Sequence, residues 1–94
     1  MDAKERFTRW LVKKGYPEYT PAGRNSTARD YPYRVEKVCA DEGISWDTLS
    51  AQIDEIVRAY DRGGRKEAEG NRSNRAVINA LKRYREYSME QGNL

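Results

Sequence analysis

In the stretch SNRAVINALKRYREY, Ser73 to Tyr87, the side chains of Arg75, Asn79, Lys82 and Glu86 recur at i, i+4, i+7 and i+11, with Arg72 and Arg83 close by. On a helix this spacing gathers them on one face. Arg and Asn can pair in bidentate fashion with guanine and adenine edges, and Lys favours phosphate, so the chemistry open to this face is recognition of a nucleic acid. The plain alternative is a solvated helix face, which is what most charge runs are. A second cluster, Arg24, Asn25, Ser26, Thr27, Arg29 and Arg34, leads into another predicted helix, where free backbone amides and the helix dipole favour a phosphate. Its alternative is a polar surface loop.

Other chemistries find little to work with. The chain has no histidine, which removes the commonest general base and the usual metal ligand. Cys39 is the single cysteine, so no intramolecular disulfide forms and no Cys/His zinc site can be assembled; it reads as a small core residue. Gly63-Gly64 lies in a charged loop with no strand before it and matches no phosphate-cradling motif. Asp41, Glu42, Asp47, Asp54, Glu55 and Asp61 match neither an EF-hand loop nor a convergent cluster. These carboxylates are expected to solubilise their helix and keep it away from nucleic acid, with partner recognition as the alternative. No enzymatic activity, cofactor, metal or small-molecule substrate is expected.

The formal charge of +3 hides a strong segregation. Residues 1–37 hold nine Lys/Arg and five Asp/Glu, residues 38–61 one and six, and residues 62–94 eight and four, for net charges of +4, −5 and +4. An acidic middle between two basic ends can present one positive surface to a polyanion if folding brings the ends together.

The elements that must position these residues are helical. With 94 residues the chain is a single domain over 1–94, and 37% hydrophobic content with a mean hydropathy of −1.07 allows one small core. Phe7, Trp10 and Leu11 at i, i+3 and i+4, followed by Gly15, predict a first helix from Asp2 to Lys14. Tyr16-Pro17 and TPAGRNS (Thr20 to Ser26) predict a loop. Tyr31, Val35, Val38 and Cys39 predict a second helix over Ala28 to Glu42, with Thr27 and Asp30 as a capping box and Pro32 as an obstacle that delays the regular helix. Trp46, Leu49, Ile53, Ile56, Val57 and Tyr60, introduced by Ser45, predict a third. RGGRKEAEGNR reads as a mobile connector, and Ser73 as the N-cap of a fourth helix with Val77, Ala80, Leu81, Tyr84 and Ser88 on its apolar side.

Trp10, Trp46, Tyr31, Tyr60 and Tyr84 fall on these apolar stripes and are expected in the core, while Tyr16, Tyr19 and Tyr33 have no assignment. The N-terminal MDAKERFTRW carries no signal-peptide run, and no stretch approaches the roughly 20 apolar residues that cross a bilayer, so a cytoplasmic protein without membrane contact is expected.

Three motifs carry a resemblance: F-x-x-W-L-x-x-x-G-Y at Phe7 to Tyr16, T-x-x-x-Y at Thr27 to Tyr31, and A-L-K-R-Y-x-x-Y at Ala80 to Tyr87. In this order they resemble the N-terminal core-binding domain of tyrosine recombinases, the SAM-like domain of phage integrases. The resemblance implies an all-α, four-helix orthogonal bundle that clamps duplex DNA with its second and fourth helices, in DNA recombination by a phage or mobile element. It gives the DNA-facing role to Thr27, Arg29 and Arg34 on the second helix and to Arg75, Asn79, Lys82 and Arg83 on the fourth; Arg24 and Arg72 join them from the charge clusters. The TPAGRNS loop, Pro32 and the charged glycine-rich connector depart from the family pattern. The recombinase catalytic set belongs to another domain, so the resemblance implies DNA binding without catalysis. The alternative is a helical module that binds a partner protein or a catalytic domain through exposed aromatics and the acidic third helix.

Overall fold

The computed structural model describes residues 1–92, so the last two positions of the unit expected over 1–94 lie outside the described residues. Six helices follow one another: α1 (Ala3–Lys13), α2 (Thr27–Glu42), α3 (Trp46–Ala51), α4 (Ile53–Tyr60), α5 (Glu67–Gly70) and α6 (Arg72–Glu90). The all-α class is therefore as expected, and among the described residues the only β pairing is an isolated bridge between Tyr19 and Asn25. Among the described residues there are six helices rather than four. The third expected helix is broken at Gln52 (φ −109°, ψ 15°), and the expected connector contains α5.

α1 starts where Asp2 accepts a hydrogen bond from the Glu5 amide at 2.8 Å, satisfying one of the orphan donors of its first turn. It buries Phe7, Trp10 and Leu11. Phe7 is the hub of an aromatic cluster, with its ring 5.1 Å from Tyr84 in an edge-on arrangement, 5.6 Å from Tyr87 and 6.1 Å from Trp10. Burying a ring of this size stabilises by roughly 1.5–3 kcal/mol, and edge-on pairs add about 1 kcal/mol.

α2 begins at Thr27 and runs through Pro32, so the expected delay does not occur. Its first turn is fastened from outside: the Ser26 amide donates to the Glu18 carbonyl (2.8 Å) and the Ala28 amide to the Pro17 carbonyl (3.0 Å). Such anchoring offsets the one ladder bond that proline removes. The Thr27/Asp30 capping box does not form. Ser26 occupies the N-cap without a side-chain bond, and Asp30 accepts instead from Arg34 Nε at 2.8 Å. The helix closes at Gly43, whose φ of +68° is the left-handed stop that glycine supplies without a Cβ penalty.

Ser45 caps α3 as expected, accepting from the Thr48 amide at 3.1 Å. α4 buries Ile53, Ile56, Val57 and Tyr60. All five other helices pack on α6, and α2 also packs extensively on α1. In the core between α3 and α6, the buried hydroxyls of Ser50 and Ser88 pair at 3.0 Å. Trp10, Tyr60 and Tyr84 are buried, Tyr31 and Trp46 half-buried against the core, and Cys39 is buried. Of the unassigned tyrosines, Tyr16 packs on the core, whereas Tyr19 and Tyr33 are exposed.

The segment expected to be a mobile connector is tied down. The Lys66 amide donates to the Ala59 carbonyl (2.8 Å), and Lys66 Nζ donates to Glu42 Oε2 (2.5 Å), an oxygen that also accepts from the Tyr60 hydroxyl (2.8 Å). Gly70 lies directly on the Tyr60 carbonyl, where a Cβ would have no room. A residue without a side chain is what lets α5 seat against the end of α4.

Ser73, Asn74 and Arg75 have φ of 54°, 57° and 67°, a left-handed turn inside the span of α6. Ser73 is consequently not the extended N-cap expected of it, and the regular right-handed helix carries on from Ala76.

Candidate nucleic-acid interface

Packing of α2 on α6 brings the two basic clusters into partial register. Arg34 and Lys37 of α2 and Arg72 and Ser73 of α6 line one cleft of about 230 Å³, with Tyr33, Val38, Val77 and Tyr60, and with Asp41 and Glu69 as its acidic members. Arg83 lies further along α6, outside the lining of that cleft; it and Arg34 both act on Tyr31, whose phenol is pushed up chiefly by burial while the two arginines oppose the shift. Lys37 was missed in the sequence, although its i, i+3 spacing from Arg34 signals a shared face.

The remaining nominated residues are placed elsewhere. Arg24 is exposed in the loop between α1 and α2, and its amide donates to Thr20 Oγ1 at 3.2 Å. Thr27 is half-buried at the start of α2. Arg29 is exposed, pairs with Glu18 at 3.2 Å and lies over the Tyr19 ring, 5.4 Å from its centre. It borders a separate groove of about 960 Å³ between α1 and α2. Asn79 is exposed on α6.

Arg75 and Lys82 converge on a single carboxylate. Asp61, the residue that caps the C-terminus of α4, takes Arg75 Nη2 on Oδ1 at 3.2 Å and Lys82 Nζ on Oδ2 at 3.1 Å. Arg75 also donates through Nη1 to Asn71 Oδ1 at 2.9 Å. The Arg62 amide, Lys82 and Arg75 together hold the Asp61 carboxyl down at about 2, against an ordinary 3.8. No local sequence signal announces this clamp, because Asp61 and Lys82 are separated by the whole α5 segment.

Electrostatically, the expected surface is thus more neutralised than the charge count suggests. Arg29, Arg34, Arg75, Lys82 and Arg83 are ion-paired with Glu18, Asp30, Asp61, Asp61 and Glu86 respectively. Arg24 and Arg72 have no ion pair among the described residues. The acidic middle segment does not point wholly away from the basic ends, since Asp61 sits between two cations of α6 and Asp54 reaches Arg85 at 3.9 Å. These pairs are partly open to solvent, where ion pairs are weak, so a phosphate can exchange for the carboxylate partner.

The structure defines an all-α protein in which no helix of the described residues is long and apolar enough to cross a membrane. No family model matches the chain, and neither does any curated protein or solved structure.

Proposed function

We propose that this chain is a non-catalytic helical module that binds duplex DNA through basic residues of α2 and α6, resembling the SAM-like core-binding domain of tyrosine recombinases. The observation that carries the reading is the cleft in which α2 and α6 bring Arg34, Lys37 and Arg72 together. Phosphate contacts supply the affinity, and base readout from the exposed Asn79 is limited.

Binding to a random-sequence duplex, followed by fluorescence anisotropy at several salt concentrations, tests this. With about five or six cations on phosphates, the logarithmic salt slope is near −5, as counterion release requires. Replacing Lys82 and Arg83 by glutamate abolishes the binding while the circular dichroism spectrum stays helical. No anisotropy change at low salt rejects the proposal.

A second reading, a protein-interaction module, is favoured by the groove between α1 and α2. Val12 and Tyr33 line it while remaining 42% and 50% exposed, and its charged lining is balanced, with Lys4, Arg9, Lys13 and Arg29 against Asp2, Glu5, Glu18 and Asp30. Association with a partner that survives the Lys82/Arg83 reversal but is lost in Val12→Asp supports this reading over the first.

A further inference from the structure

Resting on the DNA-binding reading for its ligand, we propose that Arg75 and Lys82 form a phosphate site that the chain fills with its own Asp61, making Asp61 an internal competitor of a phosphodiester. One oxygen of Asp61 meets the Arg75 guanidinium at 3.2 Å and the other meets the Lys82 ammonium at 3.1 Å. Two oxygens of a single anion are therefore divided between Arg75 of the left-handed turn and Lys82 of the helix that follows it, which is also how the two non-bridging oxygens of a phosphodiester would be received.

The site does not depend on Asp61 for its shape. Arg75 is oriented by the bond from its second terminal nitrogen to Asn71 Oδ1 at 2.9 Å, and the left-handed turn from Ser73 to Arg75 sets the direction in which its side chain leaves the backbone. The side chains of Arg75 and Lys82 are each 29% exposed, so an external anion has access.

Asp61, for its part, can leave. It terminates α4 in an extended conformation (φ −87°, ψ 179°), and its own amide remains bonded to the Val57 carbonyl at 2.9 Å whichever way the side chain points. Rotation about its side-chain bonds gives up the 2.8 Å bond that Oδ1 accepts from the Arg62 amide and frees both cations without unwinding α4. Because Asp61 is ionised throughout the neutral range, the exchange is one anion for another, and the local balance of two cations against one carboxylate favours an incoming phosphate.

The test compares the natural protein with Asp61→Asn in two titrations. In the first, inorganic phosphate is added while the side-chain NMR signals of Arg75 and Lys82 are followed. Asp61→Asn shows saturable shifts at both residues with an apparent affinity about tenfold above the natural protein, in keeping with removal of a charge-assisted competitor, and adding Lys82→Ala abolishes them. In the second, a short duplex binds Asp61→Asn about three- to tenfold more tightly than the natural protein. Unshifted Arg75 and Lys82 signals in Asp61→Asn, or equal phosphate affinity in the two proteins, overturn the site. Phosphate binding at the pair without duplex binding by either protein leaves the site standing and removes the DNA reading. Duplex binding without any difference between the proteins does the reverse. Should Asp61→Asn lose its dispersed amide spectrum, Asp61→Ser, which keeps an oxygen for the Arg62 amide, serves in both titrations.

Discussion

Ser73 shows why a residue type does not settle a backbone conformation. Serine before an apolar period is a good N-cap signal, yet Ser73, Asn74 and Arg75 lie in the left-handed region, which costs a residue with a Cβ about 1–2 kcal/mol. The turn follows directly on a close approach that no local pattern encodes, Gly70 against the Tyr60 carbonyl. Glycine at position 73 relieves the Cβ penalty and gives back part of the gain through the unfolded chain, so Ser73→Gly stabilises by about 0.5–1 kcal/mol, raising the melting temperature by a few degrees. A right-handed helix at this position would instead lose stability on the same change, and thermal melts decide between them. Cys39, by contrast, was legible from its place on the apolar stripe. Burial pushes its thiol up to about 11, so it reacts with iodoacetamide only at the rate of unfolding, which a mass-spectrometric time course in increasing urea checks.

Among the elements, α1, α2, α4 and α6 each carry an apolar stripe at helical spacing, and their existence could be read from it. α5 could not. Its four residues, EAEG, have no period of their own, and the segment is ordered by the Lys66–Glu42 bond and by the fit of Gly70 on Tyr60. The start of α2 departs from the sequence expectation for a related reason: the local rule for Pro32 delays the helix, whereas the Ser26 and Ala28 amides are anchored by the loop at Pro17 and Glu18. It follows that position 70 is sensitive out of proportion to its size. Gly70→Ala places a methyl group on the Tyr60 carbonyl and costs about 2–3 kcal/mol, with loss of amide exchange protection concentrated in residues 64–75. A melting temperature within a degree of the natural protein would show that the α5 seat is not close-packed.

Taken as one object, the molecule interleaves the charges that its sequence keeps in separate blocks. The segregation of +4, −5 and +4 is visible along the chain, but its spatial consequence is not, because the bridges that matter join residues remote in sequence: Glu42 with Lys66, Asp61 with Lys82, and Glu90 with Lys14. Each of these carboxyls is held below its ordinary value. The Lys66 and Tyr60 bonds lower Glu42, the Arg62 amide and the α6 cations lower Asp61, and the Trp10 indole N–H and Lys14 lower Glu90. A carboxyl whose pKa is lower in the folded chain contributes stability that is complete above its unfolded value and is lost as pH falls through its folded one. The ordinary values are 4.5 for the glutamates and 3.8 for Asp61, which falls to about 2 on folding, so the melting temperature holds steady down to about pH 5 and drops between there and about pH 2. Glu42→Gln removes the pairing at every pH. That variant melts lower near neutrality, because the Lys66 ammonium loses its counter-charge, and its melting temperature falls less steeply than that of the natural protein below pH 4.5. Parallel melting curves for the two proteins across this range would mean that the contact between Glu42, Tyr60 and Lys66 does not hold α5 to the ends of α2 and α4.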